Sequence, residues 1–440
     1  MTTLISCVGD TDPIRENHDG PLLHIARVMK PDKILMIHSE RSIKKHDNMV
    51  TALNSISGYT PRIEVSERII KDTEVYIFDK VFNILEELLH KYEQTEDEIF
   101  LNLSSATPQV KSAMFTLNRL AGLNVRAFQV TTPKRGSNEG ESHSNDEPIE
   151  LLIARNLDNT PNFENRVIED SGRKLLLALK KKTYRDLLIN YGYEALYGLI
   201  SKDTELKKSN RGKLKINLEG VVQSVKTQKL LPDVANLSIA DEQKKLLNAW
   251  LLLNLQAKRG MVGEYLIRLK NIAEYSAELY LQKNYPNTIK FEDGKPYLVE
   301  PEGELADYLN KCLEADGRHV ANFEYAYLNL NYYKDIVRYY DENDPLGEVL
   351  EKIKGMSKQR NKFAHGLEEF DKLRNNSIFK YTNQTFEMVK SSIDLSDEEW
   401  AKFADLEKKV KMHNGKTEYL KTIYESYFDR LNEKLLEFLK

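Results

Sequence analysis

Short apolar runs alternate with helical periodicity over the first third of the chain. Residues 4–8 (LISCV) form an apolar run of strand length, followed by the polar stretch GDTDPIRENHDGP, the helical pattern LLHIARVMK and a second apolar run, KILMIHS. The cycle recurs: IFLNLSS at 99–105 predicts a strand, PQVKSAMFTLNRLAG at 108–122 a helix with Pro108 at its first position and Gly122 past its end, and VRAFQVTT at 125–132 another strand. This alternation predicts a parallel sheet with helices on both faces and right-handed crossovers. Residues 133–148 form a polar, turn-rich loop, and IELLIARNL at 149–157 reads either as a final strand or as the first step out of the domain. From about Arg173 apolar residues recur at three- and four-residue spacing, as in QKKLLNAWLLLNLQ, which predicts an all-α remainder. The expected organisation is an α/β domain over 1–170, a helical linker over 171–240 and an all-helical domain over 241–440.

At 440 residues the chain exceeds one comfortable core, in keeping with that division. It has no apolar stretch near the ~18 residues of a membrane span. The start, MTTLISCVGDTDP, lacks a basic segment ahead of an apolar one, which argues against a secretory signal. Cys7 and Cys312 stand far apart without a C-x-x-C spacing, so neither a disulfide framework nor a zinc site is expected, and a reducing cytoplasm fits. A net charge of −4 exerts no global pull on nucleic acid, so any RNA contact must use a local basic patch.

Ligands of open parallel sheets sit at the carboxyl ends of the strands, where strand order reverses. The polar residues expected there are Asp10, Thr11 and Asp12, then His38, Ser39 and Glu40, then Ser104 to Thr107, and last Thr131, Thr132 and Lys134. Ser104, Ser105 and Thr107 open a helix, where free N–H groups and small hydroxyls suit a phosphate. Thr107 before Pro108 is equally an ordinary helix cap. Neither GxGxxG nor GxxxxGK[ST] is present, which disfavours a dinucleotide redox cofactor or an NTPase loop.

The helical half carries a second group. In GMSKQRNKFAHGLEEF, Arg360, Asn361 and His365 form an R-x4-H pattern among Lys352, Lys354, Lys358 and Lys362. Histidine can move a proton near neutral pH, and arginine, always charged, can grip two phosphoryl oxygens. Together they suit RNA cleavage without a metal. On a helix Asn361 and His365 share one face, and small Ala364 beside His365 would admit a second copy across a two-fold axis. The spacing is not selective, because Arg41 and His46 match it too; that pair follows a strand and is expected on the rim of the α/β domain. The basic stretch LKKSNRGKLK (206–215) reads as a solvated loop, and the tyrosines at 275, 280, 325, 327, 332, 333, 339 and 340 as core or dimer interface. His18, His24 and His143 show no partner carboxylate at metal spacing, so no metal site is expected.

GDTDP near the start, LNLSSATPQVKSAM midway and RNKFAH near the end together resemble the Csm-type accessory ribonucleases of type III CRISPR systems, over nearly the whole chain. These join a CARF sensor domain to a HEPN nuclease domain. The resemblance implies a Rossmann-like CARF domain, a helical linker and an all-helical HEPN domain. It implies a homodimer that binds a cyclic oligoadenylate made by the CRISPR surveillance complex and then cuts single-stranded RNA without a metal. It makes Arg360 and His365 catalytic with Asn361 in support, and surrounds the activator with Asp10, Thr11, Asp12, His38, Ser39, Ser104, Ser105, Thr107 and Gln109. A ring of six adenylates is favoured over four. Some relatives also degrade their activator, a role for which Thr107 or Asp12 would be the candidates. One departure is Ala106, where many CARF domains have glycine, so a less close backbone approach is expected there.

Two other readings follow from the residues. The helical part is only a dimerising module, leaving a nucleotide sensor without nuclease activity; or the α/β domain is itself an enzyme acting on nucleotides.

Overall fold

The computed structural model describes residues 1–94, 98–120, 125–133, 147–356, 375–405, 409–411, 417–419 and 425–440. Arg360, Asn361, His365, Lys134 and His143 lie outside the described residues. The chain divides into two compact units, Met1–Leu176 and Leu177–Lys440. Among the described residues no helix is long and apolar enough to cross a membrane.

The first unit is built on strands β1 (Thr2–Cys7), β4 (Lys33–Ile37), β5 (Arg62–Val65), β6 (Glu98–Asn102), β7 (Val125–Val130) and β8 (Val167–Glu169), with a small hairpin of β2 (Ile14–Arg15) and β3 (His18–Asp19). The six-stranded sheet runs β5-β4-β1-β6-β7-β8 and is parallel except for β8. Successive side chains of β1 point to opposite faces, and both faces are covered. Leu4, Ile34 and Met36 pack beneath α1 (Pro21–Met29) and α2 (His46–Asn54), whereas Ile5, Leu35 and Leu101 pack beneath α3 (Phe78–Glu93) and α4 (Pro108–Leu120). That double burial is why the central strands read as unbroken apolar runs.

The ambiguous 149–157 stretch resolves as helix α5 (Ile149–Arg155), and the final strand is β8, an antiparallel edge of three residues. Seven residues hold barely two helical turns, too few for apolar periodicity to separate helix from strand. Chain order leaves β1 toward β4 and β5 on one side, then returns to β6 on the other, which puts the reversal between β1 and β6.

The second unit contains α7 (Tyr193–Lys202), α8 (Lys208–Thr227), α10 (Asp241–Lys258), α11 (Val262–Asn284), α13 (Leu330–Tyr340) and α14 (Pro345–Gly355), with α6 (Arg173–Ile189) leading in. Helix α10 is buried almost all round from Leu246 to Ala257, as befits a central helix. Trp250 on α10 packs 5.2 Å from Phe386 and 6.3 Å from Trp400, centroid to centroid. One continuous core runs from Tyr184 to Leu439, so the expected linker shares its interior with the helices that follow.

The remainder is helical as expected, with an antiparallel hairpin of β9 (Ile289–Glu292) and β10 (Lys295–Leu298) and short strands at 404–405, 409–411, 417–419 and 425–426 added to it. One expectation changes here. The 206–215 stretch is not a loop, because α8 begins at Lys208. The apolar residues that define its buried face, Leu214, Leu218, Val221 and Val222, mostly lie beyond that window.

Candidate functional site

A cleft of about 390 Å³ opens at the reversal between β1 and β6. Gly9, Asp10 and Thr11 line one wall, Ser104, Ala106 and Thr107 the other, and Ser39, Arg41, Tyr76 and Lys111 contribute to its margin. The walls approach closely: a Cβ on Gly9 would stand 2.5 Å from the Ala106 backbone nitrogen. Ala106 takes a φ of +79°, the region favoured by glycine. Alanine at this position thus takes a glycine-like backbone conformation within the close-packed wall, and the strain is carried in the loop.

The sequence-predicted residues fall into two sets. Asp10, Thr11, Ser39, Ser104 and Thr107 line the cleft. Asp10 is exposed, 3.7 Å from Arg41, and its carbonyl accepts from Lys45 at 3.0 Å. Arg41 thus stands on the rim, as expected. Thr107 caps α4, accepting from the Val110 N–H at 3.4 Å while donating to the Val75 carbonyl at 3.0 Å.

Asp12, His38, Ser105 and Gln109 do not line the cleft; three of them are buried behind it. Asp12 accepts from the Gly9 N–H at 2.9 Å and the Leu22 N–H at 3.0 Å, tying the β1 loop to the start of α1. The Ser105 hydroxyl also donates to it, and burial raises its pKa against these hydrogen bonds. Asn102 donates to Ser105 and to Ser6, both at 2.8 Å, and accepts from the Ser104 N–H at 2.8 Å. The two cleft walls are therefore joined through a buried polar chain. Sequence reasoning missed Asn102 and Ser6; the signal was a polar residue inside each apolar strand run.

His38 is fully buried, 3.3 Å from His46 and 3.4 Å from the Ser42 hydroxyl. Burial, with the second imidazole beside it, depresses its pKa to about 4. Ser42 in turn accepts from the Ser39 N–H at 2.8 Å, so the histidine pair supports a cleft loop from below. Gln109 is half-buried on the first turn of α4, and its Oε1 has no partner among the described residues.

A second cleft, about 420 Å³, lies at the end of β7 beside the β2–β3 hairpin and shares Thr11, Ser104 and Lys111 with the first. Arg15, His18, Thr131, Thr132 and Arg166 are among its other lining residues. Beneath it the structure overturns one expectation: His18 and His24 do have carboxylate partners. His24 is 3.4 Å from Asp19 and 3.7 Å from Asp158, and His18 is 3.4 Å from Asp158. The ligand atoms of Asp19, His24 and Asp158 lie within 4.8 Å of one another. Two guanidinium groups already neutralise these carboxylates, however: Arg27 donates to Asp19 at 2.6 Å and Arg166 to Asp158 at 2.7 Å. Asn156 adds a bond to Asp19 at 2.6 Å. Burial would raise the Asp19 carboxyl, but the hydrogen bonds from His24 and Arg27 outweigh it and hold the group below its usual value. The donor set is that of a buried ion-pair network.

In the second unit, Lys334 pairs with Glu351 at 2.8 Å and Lys354 with Asp316 at 3.2 Å, so Lys354, expected to belong to a patch around Arg360, has a local acid partner. Cys7 and Cys312 are both free thiols, and burial pushes Cys7 up to about 12.

Residues 62–167 match the family described as the Cas_Csm6 CARF domain, and residues 226–436 that described as the Cas_Csm6 HEPN domain. The chain is 38% identical over 372 residues to the CRISPR system endoribonuclease Csm6′ of Streptococcus thermophilus, covering 84% of this chain and 89% of that protein. It is 35% identical to the Csm6 endoribonuclease of the same organism, again covering 84% and 89%. Among solved structures, Enterococcus italicus Csm6 bound to cyclic hexa-2′-fluoro-hexa-dAMP superposes with a TM-score of 0.72 at 22% identity, over 100% of both chains.

Proposed function

Because the chain belongs to the Csm6 family of type III CRISPR endoribonucleases, we propose that its CARF domain binds a cyclic oligoadenylate and that binding switches on metal-independent cleavage of single-stranded RNA by its HEPN domain. The observation that carries this reading is the cleft at the strand-order reversal, walled by close-packed backbone and small hydroxyls with Arg41 and Lys111 at its margin. Such a surface suits the phosphates of a nucleotide ring. The ring bound by the Enterococcus relative has six units, and six is the size we favour here.

Asp10, Thr11, Ser39, Ser104 and Thr107 contact the ring, with Arg41 and Lys111 added to them. Asp12, His38 and Ser105 act one layer behind, holding the walls. Asp12 is buried behind the wall whereas Thr107 lines the cleft, which leaves Thr107 the better candidate for any degradation of the activator. A two-fold ring fits a homodimer.

At the nuclease site, the 2′-oxygen attacks the adjacent phosphorus as its proton leaves, the bond to the 5′-oxygen breaks, and that oxygen takes up a proton. His365 moves one of these protons, Arg360 stabilises charge on the phosphoryl oxygens, and Asn361 orients the pair. The products end in 2′,3′-cyclic phosphate and 5′-hydroxyl. The test is cleavage of a fluorogenic RNA in EDTA with the tetra-adenylate ring, the hexa-adenylate ring or neither. The hexa-adenylate ring is expected to switch on cutting, and His365→Ala to lower it by a factor on the order of 10³. No response to either ring would sink the activator assignment, and full activity in His365→Ala the catalytic one.

A further inference from the structure

The stretch that opens the second unit carries a charge unlike the rest of the chain. From residue 177 to residue 229 there are twelve Lys and Arg against five Asp and Glu, in a protein whose total is −4. Three of those five acids are occupied or shielded: Asp203 is buried, Glu194 pairs with Arg259, and Glu205 is half-buried. Of this stretch, residues 177–225 belong to neither the CARF nor the HEPN match, and Lys226 stands at the first residue of the HEPN match.

Helix α8 organises part of this charge. Its buried face is Leu214, Leu218, Val221 and Val222. Lys208, Lys215 and Lys226 are separated by seven and eleven residues, which at 100° per residue returns each to within about 20° of one line. All three are exposed, and none has an ion pair among the described residues. Glu219 is the one acid on that line, and Ile216, 73% exposed, flanks it. The helix also opens against its own dipole: Lys207, Lys208 and Arg211 stand at its start, with no acid in the first turn and no capping side chain. The stripe from Lys208 to Lys226 is about 27 Å long, several phosphates of an extended strand.

We propose that this basic stripe, Lys208, Lys215 and Lys226 on α8, is a docking track for single-stranded RNA that feeds the nuclease domain. Its partner is chosen by charge and by the family's activity: a ribonuclease of net negative charge needs a local cationic surface to hold a polyanion. The track grips phosphates and reads no sequence. It rests on the ribonuclease assignment and not on the activator assignment.

The test uses the full chain carrying Lys208→Glu, Lys215→Glu and Lys226→Glu together. Binding of a fluorescein-labelled 2′-O-methyl RNA of about twenty nucleotides, which lacks the attacking hydroxyl, is followed by anisotropy across a salt series. The variant is expected to bind at least tenfold more weakly, with a slope of log Kd against log salt shallower by about 2, three phosphates at ~0.7 each. In cleavage of ordinary RNA, KM rises while kcat at saturation holds. The triple Lys→Arg variant keeps wild-type affinity. If the Glu variant does not fold by thermal melting, the Lys→Gln triple takes its place. Affinity within twofold of wild type with an unchanged slope overturns the proposal, as does binding to phosphatidylserine vesicles lost in the variant while RNA binding is retained. Because RNA binding is read without any ring, a failed activator assignment leaves this outcome legible.

Discussion

The two units differ in the buried polar contacts that are most prominent in each. The CARF unit sinks full charges beneath its clefts: Asp19, Arg27, Asp158 and Arg166 form ion pairs within hydrogen-bond distance while nearly excluded from water. The helical unit buries phenols. Tyr193 donates to Asn432 at 2.8 Å, Tyr333 to Glu278 at 2.7 Å and Tyr427 to Asp233 at 2.9 Å, each joining helices far apart in sequence. Burial raises the pKa of all three tyrosines, so they remain neutral donors. A phenol brings its own apolar ring and one polar tip, which suits clasping helices. Paired charges fix positions more tightly but leave a costly residue when one partner is lost. On the proposed function the difference follows the tasks: a sensor would hold loop ends at fixed places around its ligand, whereas the helical unit holds helices together.

The sharpest way to break that contrast is to remove one member from each side. Arg166→Ala removes the guanidinium from buried Asp158, and the Asp19 and Thr131 carbonyls lose their donor, so the CARF unit should lose about 3–5 kcal/mol. Tyr193→Phe removes one neutral hydrogen bond and should cost the helical unit about 1 kcal/mol. Hydrogen exchange read peptide by peptide separates the units. The first change should weaken protection in α1 and β7 and spare α10; the second should lower α10 and the helix Tyr427–Glu437 and spare the sheet. Equal losses across both units would mean that they open as one, and the contrast would have no thermodynamic content.

The ion-pair network also marks where the sequence stopped being readable. Strands β1, β4, β6 and β7 are apolar because both sheet faces are covered, and their positions follow from that pattern. Strand β5, with no fully buried residue, and three-residue β8 at the edge carry too little apolar signal. Cleft residues at strand ends, such as Thr11 and Ser104, were legible because the fold class fixes where ligands sit. Whether a polar residue at a strand end faces the cleft or the core was not: Asp10 and Asp12 differ by two positions, one exposed and one wholly buried. His24 has its nearer carboxylate partner, Asp19, only five residues before it, a spacing that matches no metal motif, whereas the second, Asp158, lies in a segment joined to it only by the tertiary fold. Spacing reasoning has no access to such pairs.

A smaller effect sharpens the contrast through pH. In the unfolded chain His38 takes up a proton near 6.5, whereas in the folded CARF unit burial holds it back until about 4. The stability it contributes is therefore fully present above pH 6.5 and is lost as pH falls toward 4, by about 2–3 kcal/mol over that window. Thermal melting of the full chain between pH 7 and 5 should show the CARF transition falling faster than the helical one. His38→Gln should flatten that fall. An identical slope in wild type and variant would remove His38 as the cause, and would point to the buried carboxylates instead.

The smallest expected change sits on the cleft itself. Ala106 holds a φ of +79°, where an L side chain crowds its own carbonyl. Ala106→Gly relieves that strain but frees the unfolded chain, and the two effects partly offset, leaving a net gain of at most about 1 kcal/mol. Because the loop already has the glycine-like conformation, ring affinity should stay within about twofold, an energy difference below RT ln 2 in either direction. Calorimetric titration of the hexa-adenylate ring against wild type and variant decides the matter. A large gain in affinity for glycine would mean that the alanine methyl, rather than the backbone, meets the ligand. The wall facing Gly9 would then be a side-chain contact, and the claim that the sensor fixes its cleft through backbone held by buried polar groups would fail at the position where it is most exposed to test.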